Sequence, residues 1–242
     1  MITIGVDDTD SEYGLCTTYL AATMMARLEE IGVVRGLPKL VRLNPAVAFK
    51  TRGNAAVAFT LDTDRPEEAK EIALRTVLEL SDFSGPNTNP GLVVAEEVPA
   101  ELTIFYRRAL HEVLDVGEAE EILERHGLWS RSFKNRRGLI GALAAVGAEF
   151  SDWTYELLAY RVPERWGTPR KIDEESVWRA DALTYPRTWD TVDHRNRKVV
   201  FAPHSGDPVL FGIRGEGPEP LEEALETIRS EAYERAVIYR TN

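Results

Sequence analysis

The stretch IGVDDTDSEYGLCTTYL, residues 4–20, decides how the chain begins to fold. It starts at the end of a short β-branched run, ITIGV, which reads as a buried strand. It ends inside a helix, where Leu20, Met24, Leu28 and Ile31 recur at helical spacing with Arg27, Glu29 and Glu30 on the other side. Between strand and helix lie Asp7, Asp8 and Asp10. Three carboxylates within four residues repel one another unless a cation or basic side chains neutralise them. Magnesium answers that need economically, taking one or two carboxylates, several waters and nucleotide phosphates. A strand end is where open α/β sheets bind such ligands, and the helix start offers free N–H groups. The competing reading is a solvated turn followed by Thr17 as a helix N-cap.

Outward from this stretch, LPKLVRL and NAAVAFTLD read as strands joined by a connector containing NPAVAFKTRG. RPEEAKEIALRTVLEL reads as a helix, with Pro66 in its first turn and acids early. SGPNTNPG is a loop, GLVVAEEV another strand, and helices are expected over 100–114 and 117–126. The basic run WSRSFKNRRG then leads into the apolar helix GLIGALAAVGA. Near Phe150 the texture changes. TYELLAYR reads as a strand, 162–198 as irregular, and the tail as strand, helix, strand. The expected fold class is α+β of a mixed α/β kind. A boundary near 150 separates a first α/β domain, 1–150, from a small α+β sandwich of the ferredoxin-like kind, 151–242. No internal repeat is visible.

Composition narrows the function. With 29 Lys+Arg against 40 Asp+Glu the net charge is −11, so any polyanion must meet a local basic patch. A single cysteine, Cys16, excludes an intrachain disulfide framework and a cysteine-built zinc site, and fits a reducing compartment. The opening MITIGVDD lacks a signal-peptide pattern, and no apolar run approaches the roughly 20 residues that span a bilayer, so a cytoplasmic location is expected. His111, His126, His194 and His204 have no metal-ligand spacing. The chain contains no G-x-x-x-x-G-K-[ST], G-x-G-x-x-G or G-x-S-x-G.

Three further segments could hold phosphates. Lys50 and Arg52 stand one residue apart ahead of Gly53 and Asn54, where two cations could clamp phosphate oxygens. Ser84, Gly85, Asn87, Thr88, Asn89 and Gly91 bring small residues, amides and hydroxyls into one loop. Arg136 and Arg137, followed by Gly138 and Gly141, put positive charge before a buried helix. Each also has an ordinary reading, as a hairpin connection, a plain loop and a solvated face.

GVDDTDS with GLCTTYL, LVRLNP with KTRGNAA, NTNPG, RRGLIGALAAVGA, APHSGDPVLFGIRGE and the terminal IYRTN resemble, in that order, the archaeal tRNA(Ile2) agmatinylcytidine synthetase family, TiaS. The resemblance runs from Ile4 to Asn242. It implies an ATP-dependent ligase that attaches agmatine to C2 of the wobble cytidine of a CAU anticodon, after phosphorylation of the C2 oxygen, with ATP ending as AMP. It implies a kinase-like first domain and a ferredoxin-like second one, with ATP and Mg2+ as cofactors and tRNA(Ile2) and agmatine as partners. The family's autophosphorylated threonine falls on Thr18. Family members continue into an OB-fold and a zinc ribbon, so the chain is expected to be a fragment.

On that footing Asp7 and Asp8 are expected to hold the metal, and Asp10 to help organise the phosphates. Lys50 and Arg52 are expected to stabilise charge on the transferred group. Agmatine is cationic and calls for carboxylates, for which Asp207 and Glu216 are the candidates; an Asp before Pro is also a routine turn. The rival functions are a nucleotide-regulated RNA-binding module without chemistry and a small-molecule kinase.

Overall fold

The period of two along β1 (Ile2–Asp7) gives it two distinct faces. Ile2, Ile4 and Val6 are buried on one, and Gly5 and Asp7 lie on the other beneath a helix. The computed structural model describes residues 1–12, 14–51, 53–200 and 207–242. Two compact units divide the chain, Met1–Ser151 with Asn242, and Asp152–Thr241.

The first unit continues through α1 (Thr17–Leu28), β2 (Val33–Arg42), β3 (Ala55–Asp62), α2 (Pro66–Leu80) and β4 (Gly91–Ala95). It then adds α3 (Ala100–Ala109), α4 (Val116–Arg125), β5 (Trp129–Ser132) and α5 (Gly138–Val146). Its strands lie in the order β5-β4-β1-β3-β2, every neighbour antiparallel. Helices α1 and α2 pack together on one face, and α5 covers the other, backed by α3 and α4. The α5 face of the sheet carries Gly5, Ala56, Ala58 and Ala95 beside Val41 and Val93, and at its small residues a Gly- and Ala-rich helix can lie close to it. Leu102, Phe105 and Tyr106 of α3 and Ile122 and Leu123 of α4 close that core.

The second unit comprises β6 (Thr154–Arg161), α6 (Glu174–Thr184), β7 (Thr188–Trp189), a hairpin of β8 (Val192–Asp193) and β9 (Lys198–Val199), then β10 (Val209–Gly215), α7 (Pro218–Thr227) and β11 (Tyr233–Thr241). Its sheet runs β11-β6-β10-β7, antiparallel throughout. Leu157, Ala159, Leu210 and Ile213 meet Val177 and Ala180 of α6 and Leu221 and Ala224 of α7 in its core.

Both units share one plan. In β1-α1-β2-β3-α2-β4 and in β6-α6-β7-β10-α7-β11 the spatial order of the strands is fourth, first, third, second, the βαββαβ ferredoxin-like arrangement. This likeness leaves no repeat in the sequence, because the plan is set by strand and helix periods and connection lengths rather than by residue identities. The first sheet is therefore antiparallel, and the crevice rule of parallel sheets does not place its site. Alternating strand direction does so instead. Asp7 lies opposite Gly91, Gly91 opposite Ser132, and Arg42 opposite Ala55. Connections 8–16, 43–54, 81–90 and 133–137 consequently emerge at one end of the sheet.

Three local expectations are corrected. The segment 162–198 contains α6, capped by Asp173, whose side chain accepts from Glu175 N at 3.1 Å. Its inner face hides the helical period by including Ser176, Asp181 and Thr184. The basic run contains β5, paired with β4, and the helix expected to reach 114 ends at Ala109.

Candidate active site

Asp7 closes β1 on the face under α5, and Gly141 lies directly over its carboxylate: a Cβ at 141 would overlap Asp7 Oδ2. Gly91 and Gly138 meet backbone to backbone in the same way, and Gly138 N donates to Asn89 O at 3.0 Å. The first turn of α5 is thereby locked to the entry of β4.

Hydrogen bonds tie the four loops into one constellation. Buried Asn89 donates through Nδ2 to Asp8 Oδ2 at 3.3 Å and to Asn87 O at 2.7 Å, while its Oδ1 accepts from Asn135 N at 3.3 Å. Thr88 Oγ1 donates to Asp10 O at 2.7 Å, and Thr51 Oγ1 to Asp10 Oδ1 at 2.8 Å. Ser11 donates to Asp82, whose own N–H reaches Thr9 O at 3.0 Å. Thr9 N and Oγ1 both donate to Thr17 Oγ1, at 3.4 and 3.1 Å, and so hold the start of α1 against the aspartate loop. Arg137 Nη2 donates to Phe49 O and Asn87 O at 3.3 Å each, and its guanidinium carbon lies 5.0 Å from the Phe49 ring centroid.

Backbone strain gathers here too. Asp8, Leu15, Lys134 and Arg136 have φ of 56°, 58°, 55° and 67°, the left-handed region that costs a non-glycine residue about 1 kcal/mol or more. Such conformations persist where the surroundings over-determine them. The electrostatics are equally unrelaxed. Burial, then the neighbouring charge of Asp8, raises the Asp7 carboxyl well above the usual carboxylate range, and Asp10 adds to it. Burial also pushes Asp8 up to about 7, against the Asn89 hydrogen bond and the Arg137 charge, which pull it down. Two adjacent carboxylates short of positive charge fit a hard divalent cation. Among the described residues no group of three or more His, Cys, Asp and Glu side chains is arranged to hold a metal, so such an ion would take its other ligands from water and phosphate.

The expected residues divide by what they touch. Asp7, Asp8, Asp10, Asn87, Thr88, Asn89, Gly91, Arg137, Gly138 and Gly141 come together. Lys50 lies on the adjacent loop, exposed, with Nζ donating to Val47 O at 3.0 Å. Arg52 lies outside the described residues. Gly53 is exposed, and Asn54 closes the neck of its loop, donating to Asn44 O at 2.8 Å and accepting from Leu43 N at 2.8 Å. Ser84 and Gly85 form a turn on Asp82, Gly85 N donating to Asp82 O at 3.2 Å, and Arg136 pairs with Glu120. Thr18 stands in the first turn of α1, with Oγ1 3.2 Å from Cys16 Sγ. The N-cap is Cys16, whose Sγ accepts from Tyr19 N at 3.3 Å; Thr17, read as a possible cap, is buried against Thr9.

The two carboxylates expected to bind agmatine do not meet. Asp207 precedes β10 and Glu216 follows it, roughly 30 Å apart at strand rise. Asp207 Oδ1 accepts from buried Arg161 Nη1 at 2.6 Å and its Oδ2 from Gly167 N at 2.5 Å, whereas Glu216 is exposed. The Asp207 carboxylate is an anchor for Arg161. Sequence reasoning also missed Thr9, Ser11, Thr51, Asp82 and Asn135. Only Asp82-Phe83-Ser84 carried a readable signal, an Asx turn.

A family model described as the TiaS TCKD domain matches residues 3–66, and one described as the TiaS FLD domain matches 136–242. The tRNA(Ile2) 2-agmatinylcytidine synthetase TiaS of Methanosarcina mazei is 49% identical over 248 residues, covering 99% of this chain and 58% of that protein. The chain belongs to the TiaS family. The TiaS of Archaeoglobus fulgidus is 46% identical, over 99% of this chain and 57% of its own length. A solved TiaS–tRNA(Ile2)–ATP complex superposes with a TM-score of 0.94 at 45% identity, covering 99% of this chain and 58% of that one. A TiaS–tRNA(Ile2)–AMPCPP–agmatine complex gives 0.93 at 43% identity, covering 99% of this chain and 59% of that one. The chain thus spans a little under three-fifths of the TiaS relatives it matches. The TCKD match takes in the aspartate loop and Thr18. The FLD match begins at Arg136, before the second compact unit at Asp152.

Proposed function

We propose that the chain carries the nucleotide-handling unit and the adjoining ferredoxin-like unit of a cytoplasmic tRNA(Ile2) 2-agmatinylcytidine synthetase. That enzyme joins agmatine to C2 of the wobble cytidine at the expense of ATP. Residues 1–151 are read as the kinase-like domain and 152–241 as the ferredoxin-like one. The observation that carries this reading is the under-compensated Asp7–Asp8 pair at a sheet end where four polar loops converge. It is supported by the TiaS–tRNA(Ile2)–ATP complex that the fold resembles.

In this reading Asp7 and Asp8 hold Mg2+, which supplies neutralising charge for the triphosphate. Asn89 fixes the Asp8 carboxylate by donating to it, and Asp10, held by Thr51 and Thr88, keeps the loop's shape. Arg137, which donates to Phe49 O of the 43–54 loop, and Lys50 of that loop bring positive charge toward phosphate oxygens. Thr18 presents its hydroxyl from the first turn of α1 as the acceptor in autophosphorylation. Cytidine C2 carries a poor leaving group as a carbonyl oxygen, and phosphorylation converts that oxygen into one an amine can expel.

The test is incubation of the folded chain with γ-labelled ATP and Mg2+. Label on protein that disappears in Thr18→Ala, and in Asp7→Asn with Asp8→Asn, supports the reading. A parent chain that binds neither nucleotide nor Mg2+ would leave it without foundation.

A further inference from the structure

We propose that the β8–β9 hairpin of the second unit is a docking finger for single-stranded RNA. Its cations meet the sugar–phosphate backbone, and a base stacks on Tyr185. The proposal rests on the tRNA reading above and deepens it.

The hairpin pairs Val192 with Val199 and Asp193 with Lys198, leaving 194–197 as its tip. Arg195, Arg197 and Lys198 are exposed on it, and among the described residues none of the three makes an ion pair. Elsewhere in this chain of net charge −11, Arg27, Arg35, Arg65, Arg108 and Arg187 each bind a carboxylate. The acid within the hairpin, Asp193, is occupied by Asn196, whose N and Nδ2 donate to it at 3.0 and 2.6 Å. Three exposed cations against the single carboxylate of Asp193 leave the hairpin with a local positive excess, the kind of basic patch that an acidic protein needs to meet a polyanion.

The finger is held rigid from inside. Asp181 of α6 is buried, and its Oδ1 accepts from Thr191 Oγ1 at 3.1 Å while Oδ2 lies 3.1 Å from His194 Nε2. One buried carboxylate thus pins both the root and the tip of the hairpin to α6. Val200 N donates to Thr191 O at 2.9 Å, and Val192 and Val199 pack on the core of the unit. A solvated loop needs none of this, whereas a binding element gains from being ordered before it binds.

Aromatic rings stand around His194, the residue that precedes Arg195 at the hairpin tip. The His194 ring lies 4.8 Å from Tyr185 and 6.1 Å from Trp178. Tyr185 is 57% exposed, so part of its ring is open to a base. Cations beside an open aromatic ring are what single-stranded RNA binding uses, the charges tracking phosphates and the ring accepting any unstacked base.

The experiment follows binding of a labelled anticodon stem-loop RNA to the whole chain by fluorescence anisotropy between 50 and 200 mM salt, and nucleotide binding in parallel. Three single-strand phosphate contacts contribute roughly 0.7 each to the salt slope, so R195A/R197A/K198A is expected to flatten it by about 2. The affinity gap between parent and variant then narrows about twentyfold over that salt range. R195K/R197K should retain the slope, and Tyr185→Ala should weaken the stem-loop while sparing a plain duplex. A triple variant that folds by circular dichroism and keeps the parental slope overturns the finger, as does a parent chain that binds no RNA. Polyglutamate bound as tightly as RNA through the same three residues also overturns it, in favour of an acidic protein partner. Loss of nucleotide binding by the parent, with the RNA slope behaving as expected, removes the function proposed above and leaves the finger standing.

Discussion

Gly141 of α5 and Asp7 of β1 occupy the same small volume: the helix can cross the strand end there only because position 141 has no side chain. Gly141→Ala forces a methyl into the carboxylate. The expected result is a displaced Asp7, a loss of roughly 1–3 kcal/mol from overpacking, and loss of Mg2+-nucleotide binding. Calorimetric titration beside thermal denaturation checks it. Unchanged nucleotide affinity in the variant would mean that Asp7 is not a ligand.

Asp7 and Asp8 destabilise the fold that they are placed to serve. Burial disfavours their charged forms and each repels the other, so at pH 7.5 in the absence of divalent ions the double change to asparagine should stabilise the chain by roughly 1–2 kcal/mol. Mg2+ with nucleotide should raise the parent's Tm and leave that of the variant unmoved. A variant less stable than the parent without Mg2+, measured by urea denaturation, would contradict the electrostatic account.

Asp82 behaves in the opposite sense. Its carboxylate accepts from Ser11, then from Ser84 Oγ at 2.5 Å and Ser84 N at 3.1 Å, and these bonds hold its pKa below the ordinary value. A lowered folded pKa means that the unfolded chain binds protons first as pH falls. The stabilisation is therefore complete above about 3.9 and is lost as pH falls through the folded value beneath it. Asp82→Asn should cost about 1 kcal/mol at pH 7. The gap to the parent should close in acid, and a constant difference from pH 7 to pH 2.5 would refute the assignment.

The elements that could be read from sequence are those whose period was clean. β1, α1, α2 and α5 fall where ITIGV, the Leu20–Ile31 spacing, RPEEAKEIAL and GLIGALAAV place them, because apolar periodicity in β1, α1 and α5, and Pro66 with early acids in α2, mark them locally. Helix α6 was hidden because Asp181 and Thr184 fill buried positions in service of the hairpin and β7, with Thr184 Oγ1 2.5 Å from Thr188 Oγ1. The acidic loop could be recognised by its charge density alone. Its partners could not: Asn89 lies 81 residues from Asp8 and Thr51 lies 41 from Asp10. Only the antiparallel strand order brings those loops to one end, and that order has no local signature.

Arg161 illustrates why Asp207 reads as structural. Its side chain is 1% exposed, with Nε donating to Glu231 Oε1 at 2.7 Å, Nη1 to Asp207 Oδ1 at 2.6 Å and Thr168 O at 3.0 Å, and Nη2 to Thr168 Oγ1 at 3.0 Å. Glu231 is nearly as deep, and despite that burial the Arg161 bond helps hold its carboxyl below the usual range. Arg161→Met leaves Glu231 buried without its principal counter-charge and should cost about 3–5 kcal/mol. Adding Glu231→Gln should recover part of that loss, because the uncompensated charge is then gone. Asp207→Asn should lower stability by a smaller amount and leave agmatine affinity unchanged. Chemical denaturation of the four proteins, with agmatine titrated into parent and Asp207→Asn, separates the roles: a variant of full stability that no longer binds agmatine would return Asp207 to the substrate pocket.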